Sequence, residues 1–534
     1  MLDRFNSLLT PEAYPHPVKE VRLAQTQMSL VFLTGDYAYK VKKPVDLGYL
    51  DYSTLEKRRA FCEKELQLNR RLCPEAYLEV VPIVPQRSGL KVDAPGEPVE
   101  YAVKMRQLPQ QRMMDFLLPG DQVTGEMVAR VASKLADFHA RTRTGPDISS
   151  FGDLSTIRHN TDENFRQTER YVNVTLSRKA FDQIKRATDE FIHHNADLLH
   201  SRVRQGRIRD CHGDLHAEHV CFTNDICIYD CIEFNDRFRY SDVASEIAFL
   251  AMDLERYDHP ELSRSFVDAY VEYTGDSGLF SLLNFYKCYR AYVRGKVESF
   301  KLDDPDIARE DKEQVLRRAR RYFDLALLYS RRPLLIITSG LIGTGKSTVA
   351  GSVAGRLGCG IISSDVTRKQ LAGVPLTEHR YEGFQGGIYS EDFSRRTYEA
   401  MLTQARDRLA RGDCVILDAS FSKRQQRARA RQLAREQGCS FLLLECVLPE
   451  QEIKRRLERR TSQETVSDAR WDLFASQKAQ YEPVTETTPH KPTHPTPVTG
   501  IAPEEHLILD TSRPAESLAE TVHTYLYGTA QSDL

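Results

Sequence analysis

LLIITSGLIGTGKST, residues 334–348, decides how this chain is read. A short apolar run over 334–337 leads into a glycine-rich turn that closes on Lys346 and Ser347. Gly340, Gly345, Lys346 and Ser347 fit the pattern G-x-x-x-x-G-K-[ST]. The flanks agree. The apolar run has the length of a buried strand, and residues 347–357 place Val349, Val353 and Leu357 on one helical face. Backbone N–H groups in such a turn curl around phosphate oxygens at a helix N-terminus, which makes Gly340, Gly343, Thr344, Gly345 and Thr348 the candidate cradle. Lys346 would reach the terminal phosphates, and the Ser347 hydroxyl would ligate Mg2+. The expected ligand is a nucleoside triphosphate, ATP or GTP.

The chain around this stretch has 534 residues, enough for two or three domains. A formal net charge of −2 exerts no global pull toward nucleic acid or an anionic membrane. No apolar run approaches the length of a membrane span, and residues 1–17 lack a signal-peptide core, so no membrane partner is expected. Eleven cysteines are scattered without a paired framework, which points to the cytoplasm.

Beyond the glycine-rich turn, strand and helix patterns alternate. Strands are expected at 360–364, 414–418, 441–447 and 506–510, with helices between them, so this half reads as a doubly wound parallel α/β sheet. Asp365 follows the second strand, where ligands bind in such sheets, and Arg368 comes three residues later. A carboxylate there can take a proton from a hydroxyl while the arginine clamps a phosphate. Asp418 closes the apolar strand VILD, as expected of an acid that holds the Mg2+ shell. Arg456 and Arg460, four apart on one helix, are placed to close over phosphates, and Arg455 and Arg459 share that spacing.

The N-terminal half begins with strands at 30–33 and 37–41 around the turn Thr34-Gly35-Asp36. Lys40, Lys42 and Lys43 lie at the end of this hairpin. A helix over 54–72 carries Glu63 and Glu65, strands follow at 77–84 and 100–107, and a helix over 123–141 buries Val128, Val131, Leu135 and Phe138. A second dense stretch is DCHGDLHAEHVCFTNDICIYDCIEF, residues 210–234. Asp214 sits in a loop, and Asp230 follows a short hairpin around Asn224-Asp225. A loop aspartate that orients a substrate hydroxyl, with a second one that holds Mg2+ against the phosphates, is the arrangement of kinase chemistry. Cys211, His212, His216 and His219 alternatively form a zinc-type set. The basic helix over 310–329 reads as a solvated connection between the halves, with nucleic-acid contact through Arg317, Arg318, Arg320 and Arg321 as the alternative.

HGDLH, a hairpin and an aspartate resemble the catalytic loop of the aminoglycoside phosphotransferase family, which has a protein-kinase-like fold. The resemblance covers roughly residues 25–300 and includes the YKVK strand, EYAVKMRQLP and ADFHART. It implies that Asp214 is the catalytic aspartate, Asp230 the metal aspartate and Asp242 an anchor of the loop. It makes Lys40 the phosphate-binding lysine, paired with Glu65 or Glu63. The family's metal-ligating asparagine, five residues after the catalytic aspartate, is His219 here, which then becomes the metal ligand. The phosphate-covering turn at 26–29 has no glycine.

GLIGTGKST, SSDVTRKQLAG, VILDASF and the arginine-rich stretch over 455–483 resemble P-loop kinases related to phage polynucleotide kinase, chloramphenicol phosphotransferase and zeta toxins. That resemblance implies Asp365 as base, Arg368 as a phosphate contact, and Arg456 and Arg460 as lid residues. The expected organisation is a kinase-like N-lobe (1–108), a helical C-lobe with the catalytic loop (109–332) and a P-loop kinase domain (333–534). The expected function is ATP- or GTP-dependent phosphoryl transfer to a hydroxyl of a small molecule, with Mg2+. Alternatives are an N-terminal pseudokinase that regulates the P-loop half, a nucleic-acid 5′-end kinase, and a nucleotide-gated switch.

Overall fold

The structure is a computed structural model and describes residues 2–87, 89–304, 307–376, 386–460, 471–487, 489–490 and 504–527. It divides into two compact units, Met1–Ser330 and Arg331–Leu534.

The first unit opens with a six-stranded antiparallel sheet. Its strands are β1 (Arg22–Gln25), β2 (Ser29–Leu33), β3 (Tyr37–Lys42), β4 (Tyr77–Gln86), β5 (Gly89–Val92) and β6 (Glu100–Arg106), in the order β1-β2-β3-β6-β4-β5. Side chains alternate across a strand. In β3, Tyr39 and Val41 enter a core with Leu30, Phe32, Val81 and Ile83. Lys40 and Lys42 therefore share the opposite face. The helix Leu55–Asn69 buries Arg58, Cys62, Glu65, Leu68 and Asn69, a stripe at helical spacing. Its start is set by Thr54, whose side chain accepts from the Lys57 amide.

A helical lobe follows. The helices Gly125–Arg141, Val243–Arg256, Pro260–Thr274 and Phe280–Phe300 surround a core that includes Val131, Leu135, Ile247, Leu250, Phe266 and Leu282. Four short strands frame the loop of interest. β7 (Ile208–Asp210) pairs antiparallel with β10 (Tyr240–Asp242), and β8 (Val220–Phe222) forms a hairpin with β9 (Ile226–Ile228).

The helix Arg309–Tyr329 is not the solvated connection expected from its charge. Val315, Ala319, Tyr322, Phe323, Ala326 and Tyr329 are buried, and Tyr322 and Phe323 share a core with Tyr292 and Cys288 of the Phe280–Phe300 helix. Spacing of 3 and 4 residues aligns these positions on one face even though arginines dominate the composition. Arg318 pairs with Glu298, Arg321 with Asp258, and Arg320 donates to the Val174 carbonyl.

The second unit is a parallel sheet of β11 (Leu334–Ser339), β12 (Gly360–Ser363), β13 (Val415–Asp418), β14 (Ser440–Val447), β15 (Pro489–His490) and β16 (Glu504–Asp510). The order is β12-β13-β11-β14-β16-β15, and every pairing is parallel. All six residues of β11 are buried, as a central strand covered on both faces requires. The helices Lys346–Leu357 and Ala515–Tyr527 pack on one face, and Glu391–Ala410 and Arg424–Glu436 on the other. The Glu391–Ala410 helix begins earlier than its apolar pattern suggests, because Ser390 caps it by accepting from the Phe393 amide.

Candidate active sites

In the first unit the charged face of β3 meets the buried face of the Leu55–Asn69 helix. Lys40 Nζ lies 2.9 Å from Glu65 Oε1 and 2.5 Å from Asp230 Oδ1. Lys42 Nζ lies 2.6 Å from Glu65 Oε2 and also pairs with Glu233. Tyr52 bonds to both Lys42 and Glu233. One carboxylate thus holds two lysines. Burial would lower both ammonium groups, but Asp230 and Glu65 hold Lys40, and Glu233 and Glu65 hold Lys42, well above the ordinary lysine range. Glu63 is exposed and pairs with Arg59. Lys43 donates to the Thr26 carbonyl. The glycine-free turn is a tight one, in which Thr26 Oγ1 accepts from the Met28 and Ser29 amides.

The loop that carries Asp214 is clamped by the Val243–Arg256 helix. Glu246 Oε1 accepts from the amides of His212 at 2.8 Å and Gly213 at 2.7 Å, and Oε2 lies 2.7 Å from His139 Nε2. Asp253 accepts from the Ala217 amide, and Arg290 donates to the Gly213 carbonyl. Asp242, the expected anchor, instead pairs with buried Arg202 and caps its own helix through the Ala244 amide. The anchor lies one helical turn further on, where the side chain faces the loop rather than the helix start. Gly213 has φ +90°, and a Cβ there would meet the Phe238 carbonyl oxygen at 2.9 Å, so the loop requires glycine.

Asp214 stands among histidines. Its Oδ2 is 3.5 Å from His216 Nε2 and 3.7 Å from His219 Nδ1. Burial would raise the Asp214 carboxyl, but His216, His219 and Arg294 hold it well below the usual range, so it is a carboxylate at neutral pH. Burial and His216 push His219 down. His212 is turned away: Nε2 donates to the Tyr229 carbonyl at 2.9 Å, and burial depresses it to about 4. Asp230 has φ +63°, a left-handed conformation that aspartate tolerates, and its amide donates to the Tyr77 hydroxyl. Cys211, His139 and Glu246 lie close together, but Glu246 is already spent on His139 and the loop amides.

In the second unit the site follows one local path. Gly340 leaves β11 with φ +142°, and a Cβ there would strike the Cys446 carbonyl oxygen of β14 at 2.5 Å. Lys346 opens the next helix, and its Nζ donates to the Leu341 carbonyl at 2.9 Å. Ser347 and Thr348 are exposed in the first helical turn, while Thr344 is buried with Oγ1 donating to Leu341. Asp418 ends β13 beside β11, and the Thr338 hydroxyl approaches its Oδ1 at 3.4 Å. Ser363 pairs with Asp418 across β12, so Asp365, half-buried in the first turn of Ser364–Ala372, stands at the same sheet edge. Arg368 is buried. Its Nη1 donates to the Ile388 carbonyl at 2.6 Å and Ser394 Oγ at 3.1 Å, which ties it to the 387–394 segment. Arg456 lies against Gly345, with Nη1 3.1 Å from where a Cβ would sit, and Nη2 donates to the Thr511 carbonyl. Arg460 ends the Glu450–Arg460 helix, and its side chain lies outside the described residues.

Residues 56–279 match the Phosphotransferase enzyme family, and residues 335–484 match an AAA domain. An uncharacterized protein of Mycobacterium tuberculosis is 31% identical over 437 residues, spanning 81% of this chain and 85% of the relative. One of Mycobacterium bovis matches to the same extent. The chain belongs to the family of these mycobacterial proteins, and it joins a phosphotransferase-type domain to an AAA domain. Among solved structures, a choline/ethanolamine kinase family protein from Mesorhizobium loti is 15% identical with a TM-score of 0.36, covering 62% of this chain and 98% of that one. The APS kinase of Mycobacterium tuberculosis, solved with AMPPNP and APS, is 21% identical with a TM-score of 0.25, covering 37% and 98%. No helix among the described residues is long and apolar enough to cross a membrane.

Within this phosphotransferase fold, several site residues escaped the sequence reading. Lys42, Tyr52 and Glu233 form a buried network beside Lys40. Lysines two apart on one strand share a face, and that was the available signal. Glu246 lay in an apolar helix with nothing to mark it. The cysteines also depart from expectation, because Cys73 is disulfide-bonded to Cys227. The bond joins the segment after the Glu65 helix to β9, three residues before Asp230. Partners 154 residues apart leave no trace in local spacing.

Proposed function

We propose that the second unit transfers the γ-phosphoryl group of ATP or GTP to a hydroxyl of a small molecule, and that the first unit is a second centre of the same reaction class. The observation that carries the first part is the meeting of Lys346, Ser347, Asp418 and Asp365 at one sheet edge. Lys346 stabilises charge on the terminal phosphates, and the backbone N–H groups of 340–345 hold the phosphate chain. Asp365 accepts the proton of the attacking hydroxyl. Ser347 and Asp418 offer oxygen donors, which suit Mg2+, and would hold it. When bound, Mg2+ neutralises phosphate charge.

In the first unit, Asp214 takes the hydroxyl proton, and Glu65 holds Lys40 where it can meet phosphate oxygens. Glu246 keeps the loop backbone in place, so that Asp214 needs little reorganisation in the transition state. A second reading, an N-terminal regulatory pseudokinase, draws support from Lys40 being bound directly to Asp230.

The test is γ-labelled ATP and GTP incubated with a small-molecule extract, comparing wild type, Lys346→Ala and Asp214→Asn. The bifunctional reading expects each variant to lose a different labelled product. Loss of all transfer in Lys346→Ala alone would leave the N-terminal unit as a regulator.

A further inference from the structure

His219 is held in the pose of a metal ligand. Its Nδ1 lies 2.9 Å from the Asp214 carbonyl oxygen. A carbonyl only accepts, so Nδ1 carries a proton and Nε2 is the position at which a neutral ring presents its lone pair. Metal-bound histidines commonly spend their other N–H on a backbone carbonyl in this way. Nε2 faces Asp230 Oδ2 at 3.7 Å, too far for a hydrogen bond. A cation held about 2.1 Å from each atom spans that separation. Lys40 occupies the other Asp230 oxygen, so Oδ2 is the one directed at His219.

An imidazole in this place changes which cation fits. Mg2+ prefers oxygen ligands, whereas imidazole suits divalent transition metals. We propose that the N-terminal centre is a transition-metal site, in which His219 Nε2 and Asp230 Oδ2 hold a nitrogen-accepting divalent cation of the manganese and cobalt class in preference to Mg2+. The proposal rests on reading the first unit as a nucleotide-dependent phosphotransferase centre. It gives the two units different cation requirements, since the second offers only oxygen donors in Ser347 and Asp418.

The test uses the full-length chain carrying Lys346→Ala, which silences the P-loop centre, with Mn2+ and a non-hydrolysable ATP analogue. Pulsed electron paramagnetic resonance is expected to show 14N coupling from a directly bound imidazole. That coupling should vanish in His219→Asn and in His219→Gln. Calorimetry should show Mn2+ about tenfold tighter than Mg2+, with the ratio falling toward one in His219→Asn as an oxygen donor replaces nitrogen. Bound Mn2+ without 14N coupling, or an unchanged ratio in both variants, overturns the metal assignment while the phosphotransferase reading stands. If the Lys346→Ala chain binds no nucleotide with either cation, the reading itself fails, and the metal assignment with it.

Discussion

The two centres are built in opposite ways. In the P-loop unit the proposed phosphate cradle, its lysine and its hydroxyl come from nine consecutive residues, 340–348, and Asp418 joins them from the neighbouring strand. In the N-terminal unit each charge comes from a different element: Lys40 from a strand, Glu65 from a helix, Asp214 from a loop, Asp230 from the end of a hairpin and Glu246 from a helix beneath. The first kind of site is held by local backbone geometry. The second is held by buried ion pairs, and these bind stability and chemistry together, because a buried charge that loses its partner is costly.

Separating the chemistry of the two gives the largest expected effects. Asp214→Asn should lower formation of one phosphorylated product by about 10²–10⁴-fold, and Lys346→Ala should abolish the other. Each loss is followed by product-resolved transfer of label. If either substitution removed both products, the contrast between two self-contained centres would collapse.

Lys42 sharpens the contrast within the first unit. Lys42→Met leaves Glu233 buried without its cation and should cost about 3–5 kcal/mol of stability, read as a shift in urea midpoint. Lys40→Met should act mainly on transfer, since Lys40 faces Asp230. Equal losses of stability in the two variants would merge the roles of the lysines.

Acid should act on the first unit through Glu246. Burial opposes its ionisation, but the His139 contact and the Gly213 amide hold it at about 2, below the ordinary value of 4.5. A depressed carboxyl contributes stability above its unfolded value, and that stability is lost as the pH falls from about 4.5 toward 2. Urea midpoints measured across that window should fall by a few kcal/mol equivalent, and Glu246→Gln should flatten the slope. A wild-type slope unchanged by that substitution would assign the acid sensitivity elsewhere.

The Cys73–Cys227 bond should contribute about 2–4 kcal/mol. Cys73→Ser, or a reductant, should lower the melting temperature of the first unit and leave that of the P-loop unit in place. The smallest effect is expected at Arg317, which is exposed and lies 3.9 Å from Glu313. Arg317→Ala should change neither product. Salt-dependent capture of 5′-hydroxyl oligonucleotides, lost in this variant, would revive the nucleic-acid alternative.

Legibility followed the same division. Strand, turn and helix around 334–348 could be read directly, because each group of the proposed phosphate cradle is set by a neighbour in sequence. Asp214 and Asp230 were legible as a loop and hairpin pair. That Glu65 and not Glu63 meets Lys40 follows from helical spacing, since Glu65 lies on the stripe with Arg58, Cys62 and Leu68. The resemblance pointed to Asp242 as the loop anchor in place of Glu246, and a glutamate inside an apolar helix carries no mark in the sequence that would correct it.

The sequence by itself determined that a doubly wound P-loop sheet follows a two-lobed kinase-like half, and which acids end the strands and loops. Periodicity and short motifs encode such features within a few turns of chain. The tertiary structure alone decided that Lys42 shares Glu65 with Lys40, that Glu246 holds the Asp214 loop, that Cys73 meets Cys227 and that His219 faces Asp230. These are contacts between residues 11 to 154 positions apart, and distant pairs meet only when packing has settled which faces oppose each other.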